Sequence, residues 1–156
     1  DRFLRKETLQ GFVHDEASAF FGGLAGNAGL FSTARDVARV YQMLLNGGEI
    51  DGQRYLSKET CQLFTTETSK ISRRGLGFDK PDADDPKKGN CAPAAPAEVY
   101  GHTGFTGTCA WVDPMNELVY VFLSNRIYPD VTNRKLNQLH IRERIQGAIY
   151  DAMKKK

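Results

Sequence analysis

"VYGHTGFTGTCAW", residues 99–111, leads through a short linker into "ELVYVFLSN", residues 117–125, and this pair of stretches decides the fold. The second is a run of β-branched and aromatic residues, a strong strand signal. Asp113-Pro114-Met115-Asn116 separates the two. Asp at the first turn position and proline at the second predict a type I turn, hence an antiparallel hairpin of Thr106–Val112 with Leu118–Leu123. "LVYVFL" shows no polar alternation, so the hairpin should be covered on both faces. Gly101, Gly104 and Gly107 sit at its entry, where strand interiors usually avoid glycine. Their presence suggests a strand that must leave room for something lying against it.

Upstream, "RGLGF", residues 74–78, reads as one more short strand. The 20 residues between it and the hairpin region, 79–98, hold four of the six prolines and eight charges. They read as an exposed, irregular excursion. The clearest helix follows Ser32 and Thr33. Thr33-Ala-Arg-Asp36 has capping-box spacing, and Val37, Val40, Tyr41, Leu44 and Leu45 form one apolar face. Gly47-Gly48 should stop it. A shorter helix is expected from Ser57, with Leu56 and Cys61 placed as a hydrophobic staple. A final helix should begin near Asn133 and present Ile141, Ile145, Ala148, Ile149 and Ala152 to one face of the sheet. Residues 1–31 end in the glycine-rich "FGGLAGNAGLF", which points to loop or tightly packed backbone. The string is α+β: an antiparallel sheet flanked by helices.

The 156 residues amount to one domain with a workable core. A net charge of +2 gives no reason to expect a nucleic-acid partner. The terminal Lys154-Lys155-Lys156 reads as a solvated tail. No run reaches the ~18 apolar residues of a membrane span. Because the chain opens on Asp1 rather than Met, an upstream part is expected to have been removed. Cys61, Cys91 and Cys109 lack metal-ligand spacing; an odd count fits buried thiols, with one disulfide left open.

Several residues bear on chemistry. His102-Thr103-Gly104 lies where the long excursion re-enters the sheet. An imidazole and a hydroxyl there can face a cleft and hold an anionic or carbonyl group, or they can simply cap a strand kink. His14-Asp15-Glu16 has ligand-type residues, but adjacent side chains diverge and no metal site is expected. His140 reads as an ordinary helical histidine, Asp113 as a turn residue, and Arg126 as an exposed charge at a strand end. There is no G-x-S-x-G, no H-E-x-x-H and no phosphate-cradling loop.

"GNAGLFSTARDVARVYQMLLNGG", "RGLGF" and "YGHTGFTGTCAWVDPMNELVYVFLSNR", in this order, resemble the C-terminal portion of the serine β-lactamase-like hydrolases. That family includes class C β-lactamases, penicillin-binding DD-peptidases and related esterases. The resemblance implies that His102-Thr103-Gly104 stands for the K-T-G or H-T-G triplet of the strand lining the active site. His102 then replaces a lysine and, with Thr103, orients substrate. Gly104 keeps the strand open to an extended acyl group, and the Phe105 backbone N–H is an oxyanion donor. Losing such a donor costs roughly 3 kcal/mol of barrier stabilisation. No metal or organic cofactor is implied, and the location implied is periplasmic or cell-surface.

The family's Ser-x-x-Lys and Tyr-x-Asn or Ser-x-Asn motifs are absent. Ser18, Ser32, Ser57, Ser69, Ser72 and Ser124 each lack a lysine three positions on. The resemblance therefore implies the C-terminal part of a larger hydrolase domain: inactive alone, completed by an N-terminal part, and prone to self-association through its exposed face. Two other readings stay open: a non-enzymatic binding or scaffolding module of a larger cell-envelope protein, and a self-contained α+β domain of unrelated function.

Overall fold

The computed structural model describes residues 5–66, 71–82, 84, 85 and 89–154. Asp1, Ser69, Lys155 and Lys156, and positions 83 and 86–88 of the proline-rich excursion, lie outside the described residues. The chain divides into two compact units, residues 1–33 and 34–156.

The N-terminal unit contains one short helix, α1 (Glu16–Phe20), within the segment expected to be irregular. Asp15 starts it: its carboxylate accepts the Ser18 amide at 2.8 Å, satisfying one of the donors a helix start leaves orphaned. Asn27 closes back onto the same carboxylate at 3.3 Å. Of the glycines that follow, Gly29 is closely packed, a Cβ there lying 2.3 Å from the Gly23 carbonyl oxygen, whereas one on Gly22 or Gly26 would meet open space. Phe20, Phe21, Leu24 and Leu30 are all at least three-quarters exposed.

The second unit opens with α2 (Ala34–Leu45). Its end is a full Schellman motif: the Gly48 amide reaches the Met43 carbonyl at 2.8 Å and the Gly47 amide the Leu44 carbonyl at 3.0 Å. Both glycines have positive φ, as expected of that stop. The apolar line of α2 is only partly covered, with Val40 55% exposed. A small hairpin follows, β1 (Glu49–Ile50) with β2 (Gln53–Arg54). Asp51 and Gly52 turn it, both at positive φ, the type I′ pattern that Asp-Gly favours. Helix α3 (Lys58–Thr65) starts at Ser57, whose hydroxyl accepts the Thr60 amide at 3.1 Å.

The main sheet is antiparallel, in the order β3 (Tyr100–Thr103), β4 (Cys109–Asp113), β5 (Leu118–Phe122). Gly101 pairs with Trp111, Trp111 with Tyr120 and Asp113 with Leu118, so the expected antiparallel hairpin forms. Strand alternation gives the sheet two working faces. On one, Trp111, Cys109 and Tyr120 join Cys91 and Val99 in the core, with Ile149 packed against them. On the other, Tyr100 meets Phe78 edge-on at 5.4 Å, and Phe78 meets Tyr41 of α2 at 6.1 Å. Both faces are thus covered, and the architecture is α+β.

Four expectations need correction. "RGLGF" forms no strand. The Gly75 amide bonds to the Phe78 carbonyl at 3.0 Å and Gly77 has φ +107, so the segment is a tight turn that pairs only through Asp79 and Gly101. The excursion after it is not wholly exposed: Asp79, Lys80, Cys91 and Ala92 are buried, and Lys80 Nζ lies 3.3 Å from each of the Thr65, Glu98 and Val99 carbonyls. The final helix is two, α4 (Lys135–Gln138) and α5 (Ile141–Met153), because His140 adopts φ +48 between them. His140 is therefore a helix break, not a mid-helix residue.

The fourth correction concerns the inward line of α5, which is Arg142, Gln146 and Tyr150 rather than the isoleucine stripe. Arg142 donates to the Thr108 carbonyl at 3.3 Å, Gln146 accepts the Ala92 amide at 2.8 Å, and Tyr150 donates to Asp113 at 2.8 Å. Ile149 does pack on the core, but Ile145 is exposed.

Candidate active site

Among the described residues, β3 has β4 on one side and only Asp79 on the other. The Asp79 amide bonds to the Gly101 carbonyl at 2.7 Å, and the Gly101 amide to the Asp79 carbonyl at 3.0 Å. Since alternate residues of a strand direct their backbone groups to the same side, Thr103 also turns its amide and carbonyl away from β4. Beyond the single Asp79 bridge, β3 is an edge. His102, Thr103 and Gly104 stand on it, each half-buried.

The chain leaves that edge through a turn. The Gly104 amide bonds to the Thr108 carbonyl at 2.8 Å and the Gly107 amide to the Gly104 carbonyl at 3.0 Å. This turn delays β4 until Cys109, three residues later than the sequence pattern suggested. Phe105 sits in it, 64% exposed.

Each of the three glycines also has close neighbours within the chain. A Cβ on Gly101 would lie 2.1 Å from the Ala110 carbonyl oxygen and 2.7 Å from the Trp111 ring. One on Gly104 would meet the Thr108 hydroxyl at 2.3 Å, and one on Gly107 the Ser124 hydroxyl at 2.5 Å. At Gly101 the nearest neighbour is backbone, whereas at Gly104 and Gly107 it is a side-chain hydroxyl that can rotate.

Two guanidinium groups flank the segment. Arg126 lies over the Phe105 ring, 4.5 Å from its centre, in a cation–π contact. Its side chain also donates to the Val131 carbonyl at 3.2 Å. Burial, then the charges of Arg134 and Arg142, push the Arg126 pKa down. Arg126 is thus an anchored cation beside the site, not the exposed strand-end charge expected. Arg74 Nη1 lies 3.1 Å from His102 Nε2, while His102 Nδ1 lies 2.7 Å from the Thr103 carbonyl. Sequence reasoning missed Arg74, which is 28 residues from His102 and carries no local signal.

Behind Arg74 is the Asp79 carboxylate, almost fully buried. Burial alone would push its pKa up, but hydrogen bonds from Arg73 and Asn90, the Arg73 charge and the Lys80 amide together hold it below the usual carboxylate range.

The remaining candidates lie elsewhere. His14 belongs to the N-terminal unit. Asp113 holds the hairpin turn, accepting the Met115 and Asn116 amides at 2.9 and 3.1 Å. All three cysteines are free and buried, and burial pushes the Cys91 thiol up to about 12. Among the described residues, no helix is long and apolar enough to cross a membrane.

Comparison with known proteins places the chain in a family. The beta-lactamase family model matches residues 5–143. A protein of Escherichia coli (strain K12) named "Putative D-alanyl-D-alanine carboxypeptidase" is 36% identical over 135 residues, which is 86% of this chain and 31% of that protein. A Salmonella typhi protein of the same name matches to the same extent. The chain thus spans about a third of the length of these curated relatives. A crystal structure of a penicillin-binding protein homolog from Caulobacter crescentus aligns with a TM-score of 0.48 at 26% identity, over 60% of this chain and 26% of that one. On the family match across most of its length, this chain belongs to the beta-lactamase family.

Proposed function

We propose that the chain forms one wall of the active site of a serine acyl hydrolase, acting on an amide or ester bond through an acyl-enzyme. The substrate is a β-lactam, a D-Ala-D-Ala-type peptide or an ester. The observation that carries this reading is the open edge of β3 at His102–Gly104, in a chain of the beta-lactamase family. Thr103 hydrogen-bonds the substrate carboxylate or amide, His102 orients it, Gly104 lines its path, and the Phe105 N–H helps hold the oxyanion. No metal or organic cofactor is needed for these roles.

The chain is the C-terminal part of its hydrolase domain, and the nucleophile and its lysine come from an upstream part. Two facts support this: no serine here has a lysine three positions on, and the relatives are about three times as long. By itself the chain is inactive and self-associates through apolar surface such as Phe20 and Leu30. The relatives' printed names favour a periplasmic or cell-surface location.

Intact-mass measurement after incubation with a labelled β-lactam or a fluorophosphonate should show no adduct on this chain. A stoichiometric adduct would refute the claim of inactivity. In a polypeptide joining the chain to an upstream Ser-x-x-Lys segment, Thr103→Val should lower kcat/KM roughly tenfold, the equivalent of one lost hydrogen bond. An unchanged kcat/KM would remove Thr103 from the site. If no Ser-x-x-Lys precedes the chain, a binding or scaffolding role takes the place of catalysis.

A further inference from the structure

The ring of His102 is held between a group that can only accept and a group that can only donate. The Thr103 carbonyl oxygen, 2.7 Å from Nδ1, accepts; the Arg74 guanidinium, 3.1 Å from Nε2, has donors and no acceptor. Only one arrangement satisfies both: the proton is on Nδ1, and the Nε2 lone pair receives Arg74. Both contacts favour that tautomer, and the two agree.

Both ring nitrogens are therefore engaged within the chain. The guanidinium in contact with the ring is that of Arg74. Its side chain is 48% exposed, and its Nε lies 4.0 Å from the buried Asp79 carboxylate. Nη1 goes to His102, and Nη2 makes no hydrogen bond among the described residues.

We propose that Arg74 is the positioning residue of this site: it fixes His102 as the Nδ1–H tautomer and itself supplies the positive charge at the head of the β3 edge, directed at an anionic group such as a carboxylate. The charge role rests on the active-site reading above; the tautomer does not. A guanidinium is suited to it, because its planar fork can give one arm to the imidazole and another to a carboxylate oxygen.

The test is ¹⁵N NMR of the histidine side chains in the full chain, at a pH above about 8, where an ordinary imidazole is neutral. His14 and His140 serve as internal references, and a histidine-free position 102 (His102→Gln) assigns the signals. Wild type should carry the His102 proton on Nδ1. Arg74→Met should move part of the proton population from Nδ1 toward Nε2, the Thr103 carbonyl holding the rest, with His14 and His140 unmoved, while Arg74→Lys, still a pure donor, should restore it. An Nε2–H signal in wild type overturns the proposal, as does an Arg74→Met spectrum identical to wild type. The wild-type measurement decides the tautomer even if Arg74→Met fails to fold. Because the readout needs no turnover, failure of the tautomer assignment is distinguishable from failure of the hydrolase reading.

Discussion

Arg73 clasps Asp79 through two nitrogens, Nε to Oδ1 at 2.8 Å and Nη2 to Oδ2 at 3.2 Å, and Asp79 is only 1% exposed. Asn90 donates to the same carboxylate at 2.8 Å. The backbone of Asp79 meanwhile forms the single bridge to Gly101 on the outer side of β3. Asp79 thus ties Arg73 and Asn90 together through its carboxylate and joins them to the candidate active-site strand through its backbone.

Asp79→Ala removes the acceptor of Arg73, Asn90 and the Lys80 amide, while Arg73, its side chain 32% exposed, keeps Asp82 and the Lys80 carbonyl. Removing a buried acceptor from its donors costs about 1–3 kcal/mol, which is the loss expected in chemical denaturation. The pH arm follows from the depressed pKa of Asp79. Its contribution is complete above the unfolded value of about 3.9 and is lost as pH falls through the lower folded value. Wild type should therefore lose stability in acid more steeply than Asp79→Ala. Parallel acid titrations of the two proteins would contradict this assignment.

Tyr150→Phe removes a buried hydroxyl whose hydrogen bond to Asp113 Oδ2 is 2.8 Å long. Asp113 keeps Asn116 Nδ2 at 2.8 Å on the same oxygen, so the carboxylate is not orphaned. A hydrogen bond to a charged group contributes about 1.5–3 kcal/mol, and the urea midpoint should fall accordingly. A midpoint equal to wild type would mean that α5 docks on the hairpin without this contact.

Those two contacts also show where sequence reading reaches its limit. Helix α2, its Gly47-Gly48 stop and the β4–β5 hairpin are legible because their causes are local: apolar period, cap chemistry and turn residues within a few positions. The inward line of α5 is not legible. Arg142, Gln146 and Tyr150 are turned inward by Thr108, Ala92 and Asp113, which are 34 to 54 residues away. Periodicity counts only apolar residues, so it selected Ile145, which faces out. The site divides in the same way. His102-Thr103-Gly104 is a contiguous triplet and could be read, whereas Arg74 reaches it only through the fold. The Asp51-Gly52 turn was a local signal that the sequence reading did not use.

Alkaline solution should destabilise the chain through its buried thiols and phenols. Burial pushes Cys109 up to about 11 and Cys91 to about 12, and raises Tyr100, Tyr120 and Tyr150 as well. A raised folded pKa means full stability below the unfolded value, about 8.5 for cysteine and about 10 for tyrosine, and a loss as pH rises from there toward the folded value. Each such group contributes up to about 1.4 kcal/mol per pH unit within its window. Melting temperatures should hold to about pH 8 and then fall, with a shallower decline in a Cys91→Ala, Cys109→Ala variant. Equal slopes in the two proteins would show that the thiols do not titrate with unfolding.

Gly101→Ala tests whether the glycines at the strand entry serve packing. The new methyl would sit 2.1 Å from the Ala110 carbonyl oxygen and 2.8 Å from the Trp111 Cα, both backbone atoms of the neighbouring strand, so neither can rotate away. Relief requires β3 to move from β4, and overpacking of this kind costs about 1–3 kcal/mol or more. Gly26→Ala is the matched control, because a Cβ there meets open space and the change should stay within about 0.5 kcal/mol of wild type. Equal stability of the two variants would put the cause of Gly101 back on what lies against the outer edge of β3. A large loss at Gly101 alone makes that residue part of the sheet's own packing and leaves His102, Thr103 and the turn at Phe105 as the groups facing outward.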